Sequence, residues 1–406
     1  MRMYLPVLAT LLAWVQLTVS VPYGCDNDQL TMKSHKPSGR LEVQTVADKV
    51  ENSYIVKVKD DVSKKETLYW VKNHLDRDSK IVHDYEPTFY NAFSGFFSHD
   101  VINLLRDRDD IEYIREDALA DLARNKVEVM TGSMTQYTCP WGLDRISHSG
   151  LARPPFTFSY ETPAGAGADI YIIDTGIYTE HSDFGGRARW GWIAPGLSQF
   201  DGNGHGTHCA AIAGGSLYGV AKNANLIAVK AIGDDGQGAV SNIIAGIQWA
   251  LTEARFTLRP SVVAMNLRVK PADIALDGAV QAAINDGLHF VAAAGNDGIE
   301  ASGVSPARVQ DCTTVGALDI RDNRMASSNR GNTVDMWAPG VNVLSAWTGH
   351  PWASAIQSGT STAAPHVAGI AAYLLAKEGK MSTEDLRIRL REKRERLPSG
   401  DYIARM

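Results

Sequence analysis

Between residues 168 and 337, short and nearly continuous apolar runs alternate with helix-spaced segments. That alternation limits the possible folds more than any other feature of this chain. Ala168 to Ile173, Asn225 to Ile232, Ser261 to Leu267, His289 to Ala294, Thr313 to Leu318 and Val334 to Trp337 read as strands. Ser241 to Ala254 and Ala275 to Asn285 carry their apolar residues at helical spacing. Strands that are apolar throughout must be covered on both faces, so the pattern predicts a parallel sheet between two layers of helices. In such sheets, chemistry sits outside the carboxyl ends of the strands.

The 406 residues are enough for two domains. Residues 51–123 read as a small α+β unit. Ser53 to Lys59 alternates like a strand, Lys64 to Asn73 is helical, and Ile111 to Ile114 is a further strand. Residues 21–50 read as a polar linker. Residues 124–138 read as an exposed connector with no strong apolar period, the kind of segment where proteolysis concentrates. Residues 139–406 are the larger domain. At the start, Arg2 precedes an apolar run from Tyr4 to Leu17, with Thr18 and Ser20 after it. This reads as a secretory signal peptide over residues 1–20. A membrane anchor is the alternative, but the run is short for a hydrocarbon layer of ~30 Å. The expectation is a secreted, extracellular protein with no membrane segment once the signal is removed.

Composition narrows the partners. A formal net charge of -6 with no basic domain argues against a nucleic-acid binder. The four cysteines, Cys25, Cys139, Cys209 and Cys312, lack metal-type spacing. Cys139 and Cys312 are candidates for a bridge.

Four residues carry chemistry. Asp174 follows the strand Ile170–Ile173 and precedes Thr175-Gly176, so it lies either at the reactive edge of the sheet or in an ordinary turn. His205 sits in Gly204-His205-Gly206-Thr207-His208-Cys209, at the start of a helix. His208 reads as a packed helix histidine, since no third metal ligand accompanies the pair. Ser361 sits in Gly359-Thr360-Ser361-Thr362-Ala363-Ala364-Pro365, where Pro365 marks a first helical turn. It either caps that helix or is a nucleophile whose own N–H faces a developing oxyanion. Asn296 ends the strand Val291–Gly295 and is either a turn residue or an amide donor. Together they supply one candidate for each task of acyl transfer. These are a hydroxyl, a base that takes its proton, a carboxylate that orients the base, and a donor for the oxyanion.

The motifs Ile172-Ile173-Asp174-Thr175-Gly176, His205-Gly206-Thr207-His208-Cys209-Ala210 and Gly359-Thr360-Ser361, in that order, resemble those of subtilases, especially the fungal proteinase K-like group. The resemblance runs from about Pro140 to Leu375. It implies a three-layer α/β/α fold with a mostly parallel sheet, preceded by an inhibitory α+β propeptide domain. It also implies a monomeric, self-processing serine endopeptidase acting on protein and peptide substrates. Asp174, His205 and Ser361 would form the triad, and Asn296 would complete the oxyanion hole. Gly236-Gln237-Gly238 would pair with an extended substrate. Leu267 and Ala293-Ala294-Gly295 would wall the primary pocket and favour apolar or aromatic side chains. Cys209 matches a free thiol behind the histidine. Asp335 matches a structural calcium ligand, together with the carbonyls of Gln310 and Cys312.

Three positions depart from the family pattern. Thr362 replaces a methionine, which predicts looser packing beneath the nucleophile. Arg268 and Val269 replace two glycines beside the substrate strand, which predicts a narrower, more positive cleft. These changes motivate an alternative reading, a pseudoprotease that binds peptides without turnover.

Overall fold

The computed structural model describes residues 40–122, 126–130 and 139–406. The expected signal peptide and Cys25 lie outside them. A nine-stranded sheet runs through the larger domain. From one edge its strands are Glu395–Arg396, Tyr402–Ile403, Met336–Pro339, Thr313–Leu318, His289–Ala293, Ser261–Met265, Asp169–Asp174, Asn225–Lys230 and Ala188–Ile193. All neighbours are parallel except the terminal Glu395–Arg396 and Tyr402–Ile403 pair. The apolar strands predict this arrangement, because both sheet faces are buried. One face packs Ile170, Ile172 and Ala264 against helices His205–Gly214 and Thr360–Glu378. The other packs Tyr171, Ile173 and Val263 against helices Val240–Thr257 and Ile274–Asn285. The two half-cores are the outer layers of a three-layer α/β/α domain.

The smaller unit begins earlier than the composition suggests. Val43–Gln44 pairs with Ile114–Arg115, and the strand Lys49–Val58 starts before residue 51, so residues 40–50 belong to this unit rather than to a linker. Strands Lys49–Val58, Lys80–Asp84, Ala92–Phe96 and Ile111–Leu122 and helices Lys64–Lys72 and His99–Arg106 enclose Val56, Phe93, Phe97, Leu105 and Ile114. The strand Ile111–Leu122 is far longer than the Ile111 to Ile114 run suggests, because its second half pairs outside its own domain. Leu119–Asp121 pairs antiparallel with Gln237–Ala239, and Asp121–Leu122 pairs with Leu267–Arg268.

The two domains meet at helix N-termini. Helix Val240–Thr257 has no capping side chain of its own. Asp117 of the small domain supplies one: it accepts the Ser241 N–H at 3.0 Å and the Ser241 hydroxyl at 2.5 Å. The neighbouring helix Ile274–Asn285 is capped by Asp273, which also pairs with Arg115 at 2.6 Å. Tyr85, Phe89 and Tyr90 are buried in the same apolar cluster as these two helices.

Two expectations fail here. Within the expected connector, Lys126–Met130 forms a strand antiparallel to Ser354–Ser358. The alternation Lys-Val-Glu-Val-Met is a two-residue period that becomes a strand only because an edge is available to pair with. No bridge joins Cys139 and Cys312, and both are free thiols. Cys139 packs on the face carrying helix Thr360–Glu378, whereas Cys312 is buried in the cluster on the opposite face.

Candidate active site

Asp174 is the last residue of its strand, and its Oδ1 lies 2.8 Å from Nδ1 of His205. The same oxygen accepts the Thr175 N–H at 2.8 Å, and both side chains are fully buried. A carboxylate on Nδ1 fixes the tautomer that leaves Nε2 free to accept a proton. His205 opens its helix, and the local sequence explains why it comes so close to Asp174. A side chain at Gly206 would place its Cβ 2.1 Å from the Gly176 carbonyl, so only glycine allows this approach. Buried Asp201 then ties the two loops together. It accepts from the hydroxyls of Thr175 and Thr207 and from the backbone N–H of Gly204 and Thr207. Burial pushes the Asp201 pKa up, while those donors pull it down.

Ser361 is the second residue of helix Thr360–Glu378 and is fully buried. Its N–H is among the first four of the helix, which have no acceptor within it. Its Oγ makes no hydrogen bond among the described residues, so the hydroxyl–imidazole link is not closed here. Such links are often long before substrate binds. Cys209 shows that the two elements are adjacent. Its Sγ lies 3.9 Å from both His205 ring nitrogens and donates to the Ser361 carbonyl at 3.3 Å. The thiol is wholly buried. His208 is also buried, with Nε2 3.2 Å from the carbonyls of Val343 and Ala355. Burial lowers its pKa to about 3, consistent with a packed histidine rather than a ligand.

Asn296 Oδ1 accepts the N–H of Thr360, the residue before Ser361, at 2.9 Å. That bond fixes which way the amide faces, and it leaves the buried Nδ2 without a partner among the described residues. An unpaired donor beside a serine at a helix start is what an oxyanion hole requires. Asn329, which the sequence did not single out, holds this loop. Its Nδ2 donates to the Ala294 carbonyl, and its Oδ1 accepts from the N–H of Asp297 and Ile299. Nothing local in the sequence marks it, because its partners lie about thirty residues away.

The predicted substrate residues split into two groups. Gln237 and Gly238 pair with the Leu119–Asp121 stretch, Gly236 makes the preceding turn at φ +86°, and Leu267 pairs with Leu122. Ala293, Ala294 and Gly295, which the resemblance assigns to the opposite wall, lie at and just beyond the end of strand His289–Ala293 and are buried. Arg268 crosses towards that wall: a Cβ on Gly295 would lie 3.7 Å from Arg268 Cδ. Val269 does not narrow the cleft. It turns into the core, and its backbone bridges to Ser305. Thr362 is fully buried, and its hydroxyl lies 2.9 Å from the Gly359 carbonyl and 3.2 Å from that of Gly340, so the methionine's place is filled by a bonded side chain. Asn266, at the end of strand Ser261–Met265, is buried with neither amide atom bonded among the described residues.

Asp335 gives a different outcome from the one expected. Its Oδ1 is 2.9 Å from Arg391 Nη2, its Oδ2 accepts the Thr314 N–H, and its carbonyl accepts from Arg394. The Gln310 carbonyl accepts from Arg387 at 2.9 Å. Guanidinium groups meet the oxygens a calcium ion would need, and their charge repels a divalent cation. The donor set as it stands does not fit calcium.

The subtilase family pattern (peptidase S8) matches residues 165–400. A subtilisin-like protease of Coccidioides posadasii is 41% identical over 70% of this chain and 59% of its own length. The same figures hold for alkaline protease 2 of Aspergillus fumigatus, so the chain spans 59% of the length of these two relatives. Subtilisin-like protease 3 of Pseudogymnoascus destructans is 41% identical over 80% of this chain and 81% of its own. Among solved structures, a cold-adapted subtilisin-like serine proteinase is 38% identical with a TM-score of 0.60, covering 66% of this chain and 97% of that one. With Asp174 on His205, Ser361 at a helix start and the family pattern across the larger domain, the chain belongs to the subtilase family.

Proposed function

We propose that the chain is the precursor of a secreted, monomeric serine endopeptidase that cuts itself free of residues up to the expected 124–138 segment and then hydrolyses other proteins. The observation that carries this reading is the end of the strand Ile111–Leu122. It lies antiparallel between Gln237–Ala239 and Leu267–Arg268, as an extended peptide substrate would. The chain thus occupies its own cleft, and the small domain acts as an inhibitor held there by the Asp117 and Arg115 contacts. In the reaction, Ser361 Oγ attacks the peptide carbonyl carbon while His205 Nε2 takes its proton. Asp174 stabilises the resulting imidazolium, and Asn296 Nδ2 with the Ser361 N–H receives the oxyanion. Collapse expels the amine, which takes the proton from His205 and leaves an acyl group on Ser361. Water, deprotonated by the same histidine, then releases the acid. The small side chains of the Ala293-Ala294-Gly295 wall leave room for apolar or aromatic residues. The test is the Ser361→Ala precursor, which stays full length when purified, whereas the unaltered chain is cut. Processing of purified Ser361→Ala at the same place rules out self-cleavage.

A further inference from the structure

We propose that Arg268 makes the processed enzyme select an acidic side chain at the substrate position that Asp121 fills in the precursor. This rests on the endopeptidase reading above and names the substrate class of that same cleft. Asp121 lies opposite Gln237 on one side and Arg268 on the other, so its place in the strand is fixed by two registers at once. Arg268 Nη2 donates to Asp121 Oδ2 at 3.2 Å, and Nε lies 3.0 Å from Oδ1 at ion-pair distance but without hydrogen-bond geometry. One charge-assisted hydrogen bond within a close ion pair suits a carboxylate and is unavailable to a neutral aliphatic side chain.

The guanidinium is not free to swing away. Its Nη1 is held by both oxygens of Asp297, at 2.8 and 2.7 Å. Asp297 is itself anchored through its N–H to Asn329 and follows Asn296 in the chain. Nη2 is therefore presented to the substrate strand by a fixed support. Lys270 adds a second cation, 3.2 Å from Asp297. With Asp121 in place, two cations face two carboxylates. When the small domain leaves, Asp121 goes with it, and so does Asp48, which lines the same groove. Arg268 and Lys270 then oppose Asp297 alone, leaving one net positive charge aimed at the incoming peptide. At a position where the family pattern carries glycine, this chain has built a carboxylate reader.

The experiment begins by sequencing the N-terminus of the processed enzyme, which gives the spacing between Asp121 and the cut. Four quenched-fluorescent peptides are then made on the Leu119–Leu122 frame, with Asp, Asn, Leu or Lys at the 121 position. The Asp peptide is expected to exceed the Asn peptide in kcat/KM by about fivefold, a partly exposed ion pair's share. The advantage should shrink with added salt, and Lys should be the poorest. Arg268→Gly brings the Asp/Asn ratio to about one, and Arg268→Glu moves the preference to Lys. Equal kcat/KM for Asp and Asn in the unaltered enzyme overturns the proposal, as does an Asp preference that survives Arg268→Gly. Hydrolysis of all four peptides without preference sinks only this proposal, whereas hydrolysis of none sinks the endopeptidase reading. In that case a thermal double-mutant cycle of Asp121→Asn and Arg268→Gln, in the Ser361→Ala precursor, still reads the pair. Coupling between the two supports it, and additivity overturns it.

Discussion

Replacing Asp117 by alanine should loosen the small domain from the larger one after cleavage. Asp117 is almost wholly buried and accepts three hydrogen bonds: from Ser241 N–H at 3.0 Å, from Ser241 Oγ at 2.5 Å and from Ser53 Oγ at 2.8 Å. Ser53 belongs to the small domain, so the two Ser241 bonds are the ones that cross the interface. Bonds accepted by a carboxylate are worth about 1.5–3 kcal/mol each, and an unpaired buried donor costs about 1–3 kcal/mol. Burial pushes the Asp117 pKa up and works against the ionised form, which offsets part of this gain. A net loss of about 3 kcal/mol corresponds to a dissociation constant on the order of 100-fold weaker. Asp117→Asn keeps an oxygen for the Ser241 N–H and should lose roughly tenfold. The assay is activity recovered on serial dilution of the processed, still-associated enzyme. The variant should regain activity at correspondingly higher protein concentration. Superimposable dilution curves for Asp117→Ala and the unaltered enzyme would refute the view that this cap holds the inhibitor.

Other perturbations follow from the same contacts. On the proposed oxyanion role of its Nδ2, which is unbonded among the described residues, Asn296→Ala should lower kcat by about 10²–10³ with little change in KM; an equal loss confined to KM would assign it to binding. His366 is buried, and burial lowers its pKa to about 4. The unfolded chain therefore binds its proton near pH 6.5, and stability present above that pH is lost as the pH falls towards 4, by about 3 kcal/mol. Denaturant unfolding of His366→Gln should show a shallower pH dependence across this window, and an unchanged slope would contradict it. Arg391→Ala should lower Tm modestly and make it respond to added calcium, because the Asp335 carboxylate is released. The same calcium response in the unaltered protein would contradict the view that arginine takes the cation's place.

What the sequence made legible was local. Asp174, His205 and Ser361 stand beside glycines and at strand or helix ends, and those punctuation marks survive without knowledge of the partners. The sheet was legible because its strands are apolar on both faces. Contacts between distant segments were not. Asp117 on Ser241, Asn329 on the Asn296 loop and Arg268 on Asp121 each join residues far apart in sequence, so no periodicity announces them. The length of the strand Ile111–Leu122 and the short strand Lys126–Met130 were hidden for the same reason, because each is stabilised by an edge contributed from elsewhere. Nor did the sequence show that the helix Thr383–Glu392 and the residues after it bring arginines onto oxygens that sequence matching assigns to a metal.

The central claim is that the Ser361 hydroxyl is made nucleophilic by His205 and Asp174. Reaction of the processed enzyme with a serine-directed phosphonate, followed by peptide mass mapping, tests it most directly. The account predicts one adduct on Ser361, formed at least a hundredfold more slowly in a precursor whose small domain still fills the cleft. Full proteolytic activity in enzyme whose Ser361 carries the adduct, or active enzyme that takes up none after exhaustive treatment, would contradict it.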